Sequence, residues 1–306
     1  MIGRLRDAPI DIRPVSGSHW SVIRATSGVD VVHVHEGRSV YATFVRSLMS
    51  GTPYIVTRRV NNPIGDHWLA HKVYRRAFGV AAVAAEVANV VRAFDAAVRV
   101  EVIHSSSSGL TVDAAVAAGI RARYSKGCLV GQVGALDNAQ KGQEYTIGVA
   151  REIAHSHPDI HFLLVGGGDD EAMLKRLADG LPNVSFTGFV DNVGDYLAAL
   201  DVFILPSNRE GIAAILLDAM DRGLPVIASR VGGVPEIVGS GNGILIDPGN
   251  TAQLRDAILA LRDSPELRAR LGEEGRRFAR AFTAEAMASK YLRLYRTALG
   301  ATGRHP

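Results

Sequence analysis

Short runs of β-branched and other apolar residues alternate with longer segments whose apolar residues recur at helical spacing, along nearly the whole chain. This alternation is typical of βα units around parallel sheets. In the first half it predicts strands at Ile10–Val15, Val29–Val34, Pro53–Thr57, Val80–Ala84 and Val100–Ile103. It predicts helices there at Val40–Met49, Gly65–Ala77 and Glu86–Asp95.

The second half repeats the alternation more regularly. The predicted strands are Cys128–Val133, His161–Gly166, Val184–Thr187, Val202–Leu205, Pro225–Ala228 and Gly243–Ile246, with helices between them. Several are continuously apolar, as expected of buried parallel strands. The end, Thr251 to Leu299, is predicted to be helical, with Pro265 at a helix start.

A chain of 306 residues exceeds the usual size of a single core, so we look for a boundary near the middle. A serine-rich stretch, Ser105 to Gly109, precedes the strand at Cys128. We therefore predict an α/β fold of two Rossmann-like domains, residues 1–125 and 126–306.

Composition narrows the class of protein further. A single cysteine excludes an intrachain disulfide and favours a reducing compartment. The start, MIGRLRDAPIDIRP, lacks the apolar stretch of a secretory signal, and no segment is long enough to span a membrane, so we expect a cytoplasmic protein. The net charge of +3 favours attraction to phosphates or an anionic bilayer surface but identifies neither, and a solvated surface without such a partner is the more common case. The Arg-rich and Glu-rich run at 268–280 lacks interleaved aromatic residues, which argues against a nucleic-acid partner.

Ligands of open parallel sheets bind beyond the carboxyl ends of the strands. There the segment from Leu205 to Ile212 leaves a strand and enters a predicted helix, Ala213–Asp221. The N–H groups of a helix start suit a diphosphate, and Gly211, Ile212 and Ala213 would supply them.

Two acidic residues flank this predicted helix start. Glu210 and Asp218 are eight residues apart, roughly 12 Å along a helix axis, and could hold the two ends of a nucleotide sugar. The alternative is a capping charge and a solvated carboxylate.

The segment from Asp201 to Val238 reads DVFILPSNREGIAAILLDAMDRGLPVIASRVGGVPEIV. It resembles the donor site of the retaining GT-B glycosyltransferases of the large family numbered four (glycosyl transferases group 1). Upstream, VGQVGALDNAQKGQEYTI, HFLLVGGGDDEAMLKRL and VSFTGFVDNVGDYLAALDVFILPS resemble the preceding segments in the same order. The likeness covers residues 128–298.

The resemblance implies roles for individual residues. Glu210 would contact the donor sugar, Lys141 the donor phosphate and Asp218 the ribose, in place of a glutamate. The donor cleft would be lined by Gly134, Gly166, Gly188, Phe189 and Val190, the last three near the nucleobase.

This sequence also departs from the family pattern. Ala135 stands where the family has an arginine, which removes a phosphate contact worth roughly 1.5–3 kcal/mol. Asp218 is one methylene shorter than glutamate.

In the first half, DVVHVHEGRSVYATFVRSLMSGTPYIVTRRV resembles the N-terminal domain of the same family, especially members that build lipopolysaccharide. His33 and His35 alternate with valines and so share one side of a strand. By resemblance His35 approaches the donor sugar, although such a pair is more often structural or metal-binding. Arg58 and Arg59 would face an anionic acceptor, or else solvent.

Compared with the family, this N-terminal domain is shortened by two βα units and lacks the glycine-rich first loop. Open strand edges then favour pairing with a second copy of the chain. The resemblance implies transfer of a sugar, with retention, from a UDP- or GDP-sugar to a saccharide or lipid-linked acceptor in cell-surface polysaccharide or lipopolysaccharide synthesis. It also implies peripheral contact with an anionic membrane at its inner face.

No cofactor is implied, and the absence of any Asp-any-Asp pair argues against a metal-bound diphosphate.

Three other readings remain open. A non-catalytic remnant that only binds nucleotide sugars would fit Ala135, Asp218 and the missing loop. A sugar-phosphate epimerase would need an acid and a base in the first domain, where Glu36 alone is available. A phosphorylase-like enzyme would need a pyridoxal-bearing lysine, and no segment suits one.

Overall fold

The computed structural model describes Val15 and residues 18–124, 127–239 and 241–301. Within these residues the chain forms two parallel sheets, one of four strands and one of six, with helices packed on their faces. This arrangement confirms the predicted α/β fold of two Rossmann-like units.

The first sheet has the strand order β1-β2-β3-β4. Its strands are β1 (Val32–Val34), β2 (Tyr54–Arg58), β3 (Gly79–Ala82) and β4 (Val100–Val102). Its helices are α1 (His19–Ala25), α2 (Ser39–Ser50), α3 (Trp68–Arg76) and α4 (Ala85–Phe94). The strand predicted at Ile10–Val15 lies outside the described residues except for Val15.

The second sheet has the order β10-β9-β8-β5-β6-β7. Its strands are β5 (Cys128–Val133), β6 (Ile160–Val165), β7 (Val184–Phe186), β8 (Val202–Leu205), β9 (Val226–Ser229) and β10 (Ile244–Ile246). Apolar clusters cover both faces, which explains why β6 and β8 have almost no polar side chains.

Helix α5 (Ala114–Tyr124) precedes β5. The described helices of the second half follow β5 and continue to residue 301. They are α6 (Asn138–Lys141), α7 (Gln143–Ile153), α8 (Glu171–Leu177), α9 (Val193–Ala199), α10 (Ala214–Asp221), α11 (Val234–Ile237), α12 (Thr251–Asp263), α13 (Pro265–Ala279) and α14 (Ala284–Ala301).

The predicted helical end is divided into α12, α13 and α14. Ser264 accepts a hydrogen bond from Leu267 N and so caps α13, and Pro265 occupies its first turn as predicted.

Two helices were not predicted, α1 and α5. The α5 sequence AAVAAGIRARY is mostly small residues and shows no apolar stripe at helical spacing, so its helix is stabilised by packing against α9.

Contacts cross the proposed boundary between residues 125 and 126 in both directions. Helix α5 precedes the boundary yet packs on α9 of the second half. Helix α14 follows it yet packs Leu294 and Ala298 against Ile55 and Ala81 of the first sheet. The boundary remains a proposal, and these two helices join the halves.

Candidate functional site

The order of the second sheet places a crevice between β5 and β8. These strands are neighbours in the sheet. From β5 the chain continues to β6 and β7 on one side, and from β8 it continues to β9 and β10 on the other. The connections that leave their carboxyl ends therefore diverge, which is where open α/β sheets bind ligands. Lys141 follows β5 and Glu210 follows β8, so the sheet brings two predicted site residues to one crevice.

Lys141 and Glu210 form an ion pair in this crevice. The Lys141 Nζ lies 2.8 Å from Glu210 Oε1, and the Ser207 hydroxyl donates to the same oxygen at 2.7 Å. Glu210 is only 5% exposed and the Lys141 side chain 20%. On binding a ligand, the ammonium group could exchange the carboxylate for a phosphate, and the carboxylate could exchange the ammonium group for a hydroxyl.

Buried glutamines hold the loop that carries Lys141. Gln132, inside β5, donates to Lys141 O at 2.8 Å, and Thr146 donates to Gln132 at 2.7 Å. Gln143 donates to Ala135 O at 2.8 Å. We did not identify these residues from the sequence, although a glutamine inside an apolar strand is itself a signal, because a buried amide needs partners.

The helix start after Glu210 differs from the prediction. Helix α10 begins at Ala214, with Ala213 as its N-cap, so Glu210 lies in the preceding loop. The estimate of roughly 12 Å between Glu210 and Asp218 assumed that every residue between them is helical, but the residues before Ala214 are not. No side chain caps α10, which leaves its first N–H groups to other acceptors.

The first domain comes very close to this loop. A Cβ on Gly211 would lie 1.8 Å from Arg59 O, so only glycine fits there. Ile212 packs against apolar residues of both halves, and Ala213 is buried. Gly211 and Ile212 therefore lie where the two domains meet.

Asp218 is already engaged in this structure. Ser108 N donates to Oδ1 at 2.5 Å, and Ser108 Oγ donates to Oδ2 at 2.9 Å. Burial raises the pKa of Asp218 above its usual value, and the two bonds from Ser108 oppose that shift. The serine-rich stretch, Ser105 to Gly109, is thus attached to α10.

Three of the predicted glycines lie in adjacent loops. Gly134 N donates to Val165 O at 3.0 Å, and Gly166 N donates to Gly188 O at 3.1 Å. A Cβ on Gly166 would lie 2.0 Å from Gly134 O, which excludes any side chain there.

The two residues after Gly188 have different surroundings. Phe189 is 80% exposed, whereas Val190 packs against the core. Phe189 is thus free to contact a ligand, and Val190 supports the loop.

At the end of β1, the rings of His33 and His35 lie on the same side, as predicted, with centroids 3.9 Å apart. His33 Nδ1 lies 2.6 Å from Tyr295 OH, and Nε2 lies 2.7 Å from Thr57 Oγ1. Burial, then His35 and Arg59, lower the pKa of His33 to about 3. Burial and then Arg59 also lower the pKa of His35.

The family model for glycosyl transferases group 1 matches residues 127–264, the segment that carries the crevice and its ion pair. The chain resembles this family of glycosyltransferases over that segment, which is less than half of its length. It is 34% identical over 147 residues to a GDP-mannose-dependent monoacylated alpha-(1-6)-phosphatidylinositol monomannoside mannosyltransferase of Corynebacterium glutamicum; the match covers 45% of this chain and 39% of that protein.

A second relative is the lipopolysaccharide core biosynthesis glycosyltransferase LpsE of Rhizobium meliloti, 32% identical over 142 residues, which are 45% of this chain and 42% of that protein. The matched segment thus spans about two fifths of each relative. Among solved structures, HepE of Anabaena in complex with UDP-glucose shares the fold, with a TM-score of 0.84, 18% identity, and coverage of 95% of this chain and 87% of that one.

Glu236 joins the two domains of this chain. Its Oε1 accepts from Ala85 N at 2.7 Å, and its Oε2 lies 2.9 Å from His104 Nε2. Helix α4 has no side-chain cap of its own because Ala84 is its N-cap, so Glu236 caps it from the other half. The Gly-Gly-Val-Pro-Glu segment, residues 232–236, is therefore an interdomain contact.

The two arginines after β2 have different surroundings. Arg58 donates to Asn62 O, within its own loop. The exposed Arg59 is charged and close enough to both histidines to lower their pKa values. Neither position tests the predicted acceptor role, which remains a proposal.

Among the described residues, no group of three or more His, Cys, Asp or Glu side chains is arranged to hold a metal ion. Metal independence remains a prediction. None of the described helices combines the length and the apolar character that crossing a membrane requires.

Proposed function

We propose that this chain transfers a sugar from a UDP- or GDP-sugar to a saccharide or lipid-linked acceptor, with retention of anomeric configuration, in cell-surface polysaccharide or lipopolysaccharide synthesis. The observation that carries the proposal is the Lys141–Glu210 pair at the crevice between β5 and β8. The names of the relatives support the chemical class of donor and acceptor.

On the donor side, Lys141 binds the diphosphate and Glu210 turns to the sugar hydroxyls. In this structure each neutralises the other, so neither charge is left unpaired in a poorly hydrated site. When the donor enters, its phosphate replaces the carboxylate beside Lys141. The uncapped start of α10 adds N–H donors and a positive dipole end toward the leaving diphosphate.

The ribose end is proposed to lie near Asp218, and the base near Gly188, Phe189 and Val190. The exposed ring of Phe189 is available to stack on a base. Because both Asp218 oxygens accept from Ser108, a ribose hydroxyl has to share them through their remaining lone pairs.

On the acceptor side, His35 ends β1 beside Arg59, and a cavity of about 590 Å³ lies just beyond it. The cavity wall includes Glu36, Arg38 and Tyr41, a set of polar groups suited to a saccharide hydroxyl or a phosphate. We propose that Arg58 and Arg59 attract an anionic acceptor toward this end of the first sheet.

Retention requires that the acceptor hydroxyl attack from the face that the diphosphate leaves. In the proposed reaction the donor phosphate accepts the proton of that hydroxyl. Lys141 and the start of α10 stabilise the charge on the departing diphosphate. No separate protein base is required.

The test is calorimetric titration with UDP, GDP and their sugar forms at low salt without metal, followed by a donor-hydrolysis assay. Glu210→Gln should retain binding of the nucleoside diphosphate but lose hydrolysis of the nucleotide sugar. Lys141→Met should lose both. Glu285→Gln, an exposed change on α14, is the matched control.

Binding and hydrolysis that survive Glu210→Gln would refute the assignment of Glu210. Binding without hydrolysis or transfer in the unaltered chain would instead indicate the non-catalytic nucleotide-sugar-binding protein. No binding of any nucleotide would reject the donor site as a whole.

Two further features are proposed for the first domain. Its exposed Trp20, Leu48 and Met49 accompany Arg24 and Arg46 on α1 and α2, which suits peripheral contact with an anionic bilayer. Sedimentation with anionic and neutral vesicles tests this, and equal binding to both would contradict it.

Strand β1 is an edge of the described first sheet, which leaves it available to pair with a second copy. Light scattering across a concentration range tests this self-association, and a monomer at every concentration would exclude it.

A further inference from the structure

Helix α14 reaches back across the molecule and supplies two tyrosine hydroxyls to the first sheet. Tyr295 OH lies 2.6 Å from His33 Nδ1. Tyr291 OH lies 3.2 Å from Thr57 Oγ1, which in turn lies 2.7 Å from His33 Nε2. A hydrogen-bonded chain of four side chains therefore runs from the last described helix to β1, the strand that ends just before His35.

Both ring nitrogens of His33 are engaged, one by α14 and the other by β2. A neutral imidazole has one N–H donor and one acceptor nitrogen, so the two hydroxyls satisfy it completely. Rotating the ring out of this position would break both bonds in a half-buried site, where unpaired polar groups are costly. His33 is thus held more firmly than packing alone would hold it.

The ring of His33 is in turn a packing surface for His35. Their centroids are 3.9 Å apart and their planes are inclined by 39°. His35 itself is exposed and lies at the end of the strand, beside Arg59. An exposed imidazole at a strand end has several accessible rotamers, and a fixed ring against one face restricts them.

We propose that His33 is a positioning residue for His35, and that Tyr295 of α14 and Thr57 of β2 hold it in place. His33 does not touch the substrate in this proposal. It keeps the His35 imidazole in one orientation toward the cleft, so that the second half of the chain, through α14, controls a group of the first half. The part that concerns turnover rests on the proposed function of His35.

A purely structural alternative is that the Tyr295–His33 bond only fastens α14 to the first sheet. The two ideas differ in one observable, the environment of the His35 ring. If His33 positions His35, loss of the Tyr295 hydroxyl changes the imidazole resonances of His35. If the bond only fastens the helix, thermal stability falls and those resonances stay in place.

The experiment compares Tyr295→Phe and Thr57→Val with Tyr54→Phe. Tyr54 is the matched control, because it lies in β2 and its buried hydroxyl donates to Val73 O of α3 without contacting His33. Proton–nitrogen spectra of histidine-labelled protein report on His35, whose signals are assigned by their loss in His35→Gln. Melting temperature, nucleotide affinity and donor-hydrolysis kcat are measured on the same samples.

We expect Tyr295→Phe and Thr57→Val to shift the His35 signals and to lower kcat on the order of tenfold, with nucleotide affinity unchanged within about twofold. Tyr54→Phe should lower the melting temperature and leave the signals and kcat unchanged. His35 signals that stay in place in both test variants would overturn the proposal.

The spectra also separate this proposal from the proposed function. A chain that binds and hydrolyses no nucleotide sugar would reject the function, but shifted His35 signals would still establish His33 as its positioning residue. Should Tyr295→Phe fail to fold, Thr57→Val removes the other bond to His33 with a side chain of the same shape.

Discussion

The two partners of the Lys141–Glu210 pair should contribute unequally to stability. Glu210 is 5% exposed, and Lys141→Met would leave its carboxylate with Ser207 as the hydrogen-bond partner that the structure gives it. Breaking a buried pair from one side typically costs about 3–5 kcal/mol. With a shift of roughly 2–4 °C per kcal/mol for a chain of this size, the melting temperature should fall by about 6–20 °C.

Glu210→Gln should cost much less. The amide oxygen can still accept from Ser207, and Lys141, at 20% exposure, can be reached by water. We expect a loss of about 1–2 kcal/mol, close to the value of one ordinary hydrogen bond. The double variant removes the carboxylate that Lys141→Met would leave buried, so it should be more stable than Lys141→Met alone.

Urea unfolding of the four proteins gives the complete double-mutant cycle without any ligand, and so does not depend on the proposed function. The coupling is the sum of the two single losses minus the loss in the double variant. If the double variant loses about as much as Glu210→Gln alone, the coupling is about 3–5 kcal/mol. Equal losses in both single variants that simply add in the double variant would refute the reasoning, because they would mean that solvent screens the pair.

Three further predictions concern other parts of the site. Ala135→Arg should tighten nucleoside diphosphate binding about tenfold to a hundredfold, since Ala135 is exposed and leaves room for the longer side chain. If calorimetry shows no gain in affinity, the phosphate lies elsewhere. Ser108→Ala should destabilise the chain by roughly 1–3 kcal/mol, because the buried Asp218 loses a hydroxyl donor. The control Ser107→Ala should not destabilise it, and equal losses of the two variants in urea unfolding would contradict this prediction. The pKa of His33 is lowered to about 3 in the folded chain. Between pH 6.5 and about 3 the unfolded chain therefore binds one more proton than the folded chain, and the free energy of unfolding should fall as the pH is lowered through that range. Compared with His33→Gln, the unaltered chain should lose about 1.4 kcal/mol more per pH unit between pH 5.5 and 4.5, and parallel curves would exclude this assignment.

Local pattern was enough for most of the fold. Strands β5 and β8 have the predicted bounds, because a strand buried on both faces must be apolar throughout and this signal is continuous along the chain. The start of α13 was predictable as well, since Ser264 and Pro265 are local helix signals. Helix α5 was not, because its residues have no apolar stripe and its stability comes from α9.

The donor-site candidates were also predictable, since they follow strands in motifs that resemble a known family. The sequence alone determined that Lys141 and Glu210 lie beyond the carboxyl ends of β5 and β8. Only the tertiary structure decided that these two strands are neighbours and that the side chains meet at 2.8 Å. Pairing between strands so far apart in the chain depends on the whole sheet, and no local pattern encodes it.

The same reason explains the contacts that the sequence did not reveal. Ser108 on Asp218, Glu236 on the start of α4, and Tyr295 on His33 each join residues more than a hundred positions apart. Each residue alone is an ordinary polar side chain. It acquires a role only when folding removes water from around a charge or a ring and leaves one partner within hydrogen-bond distance.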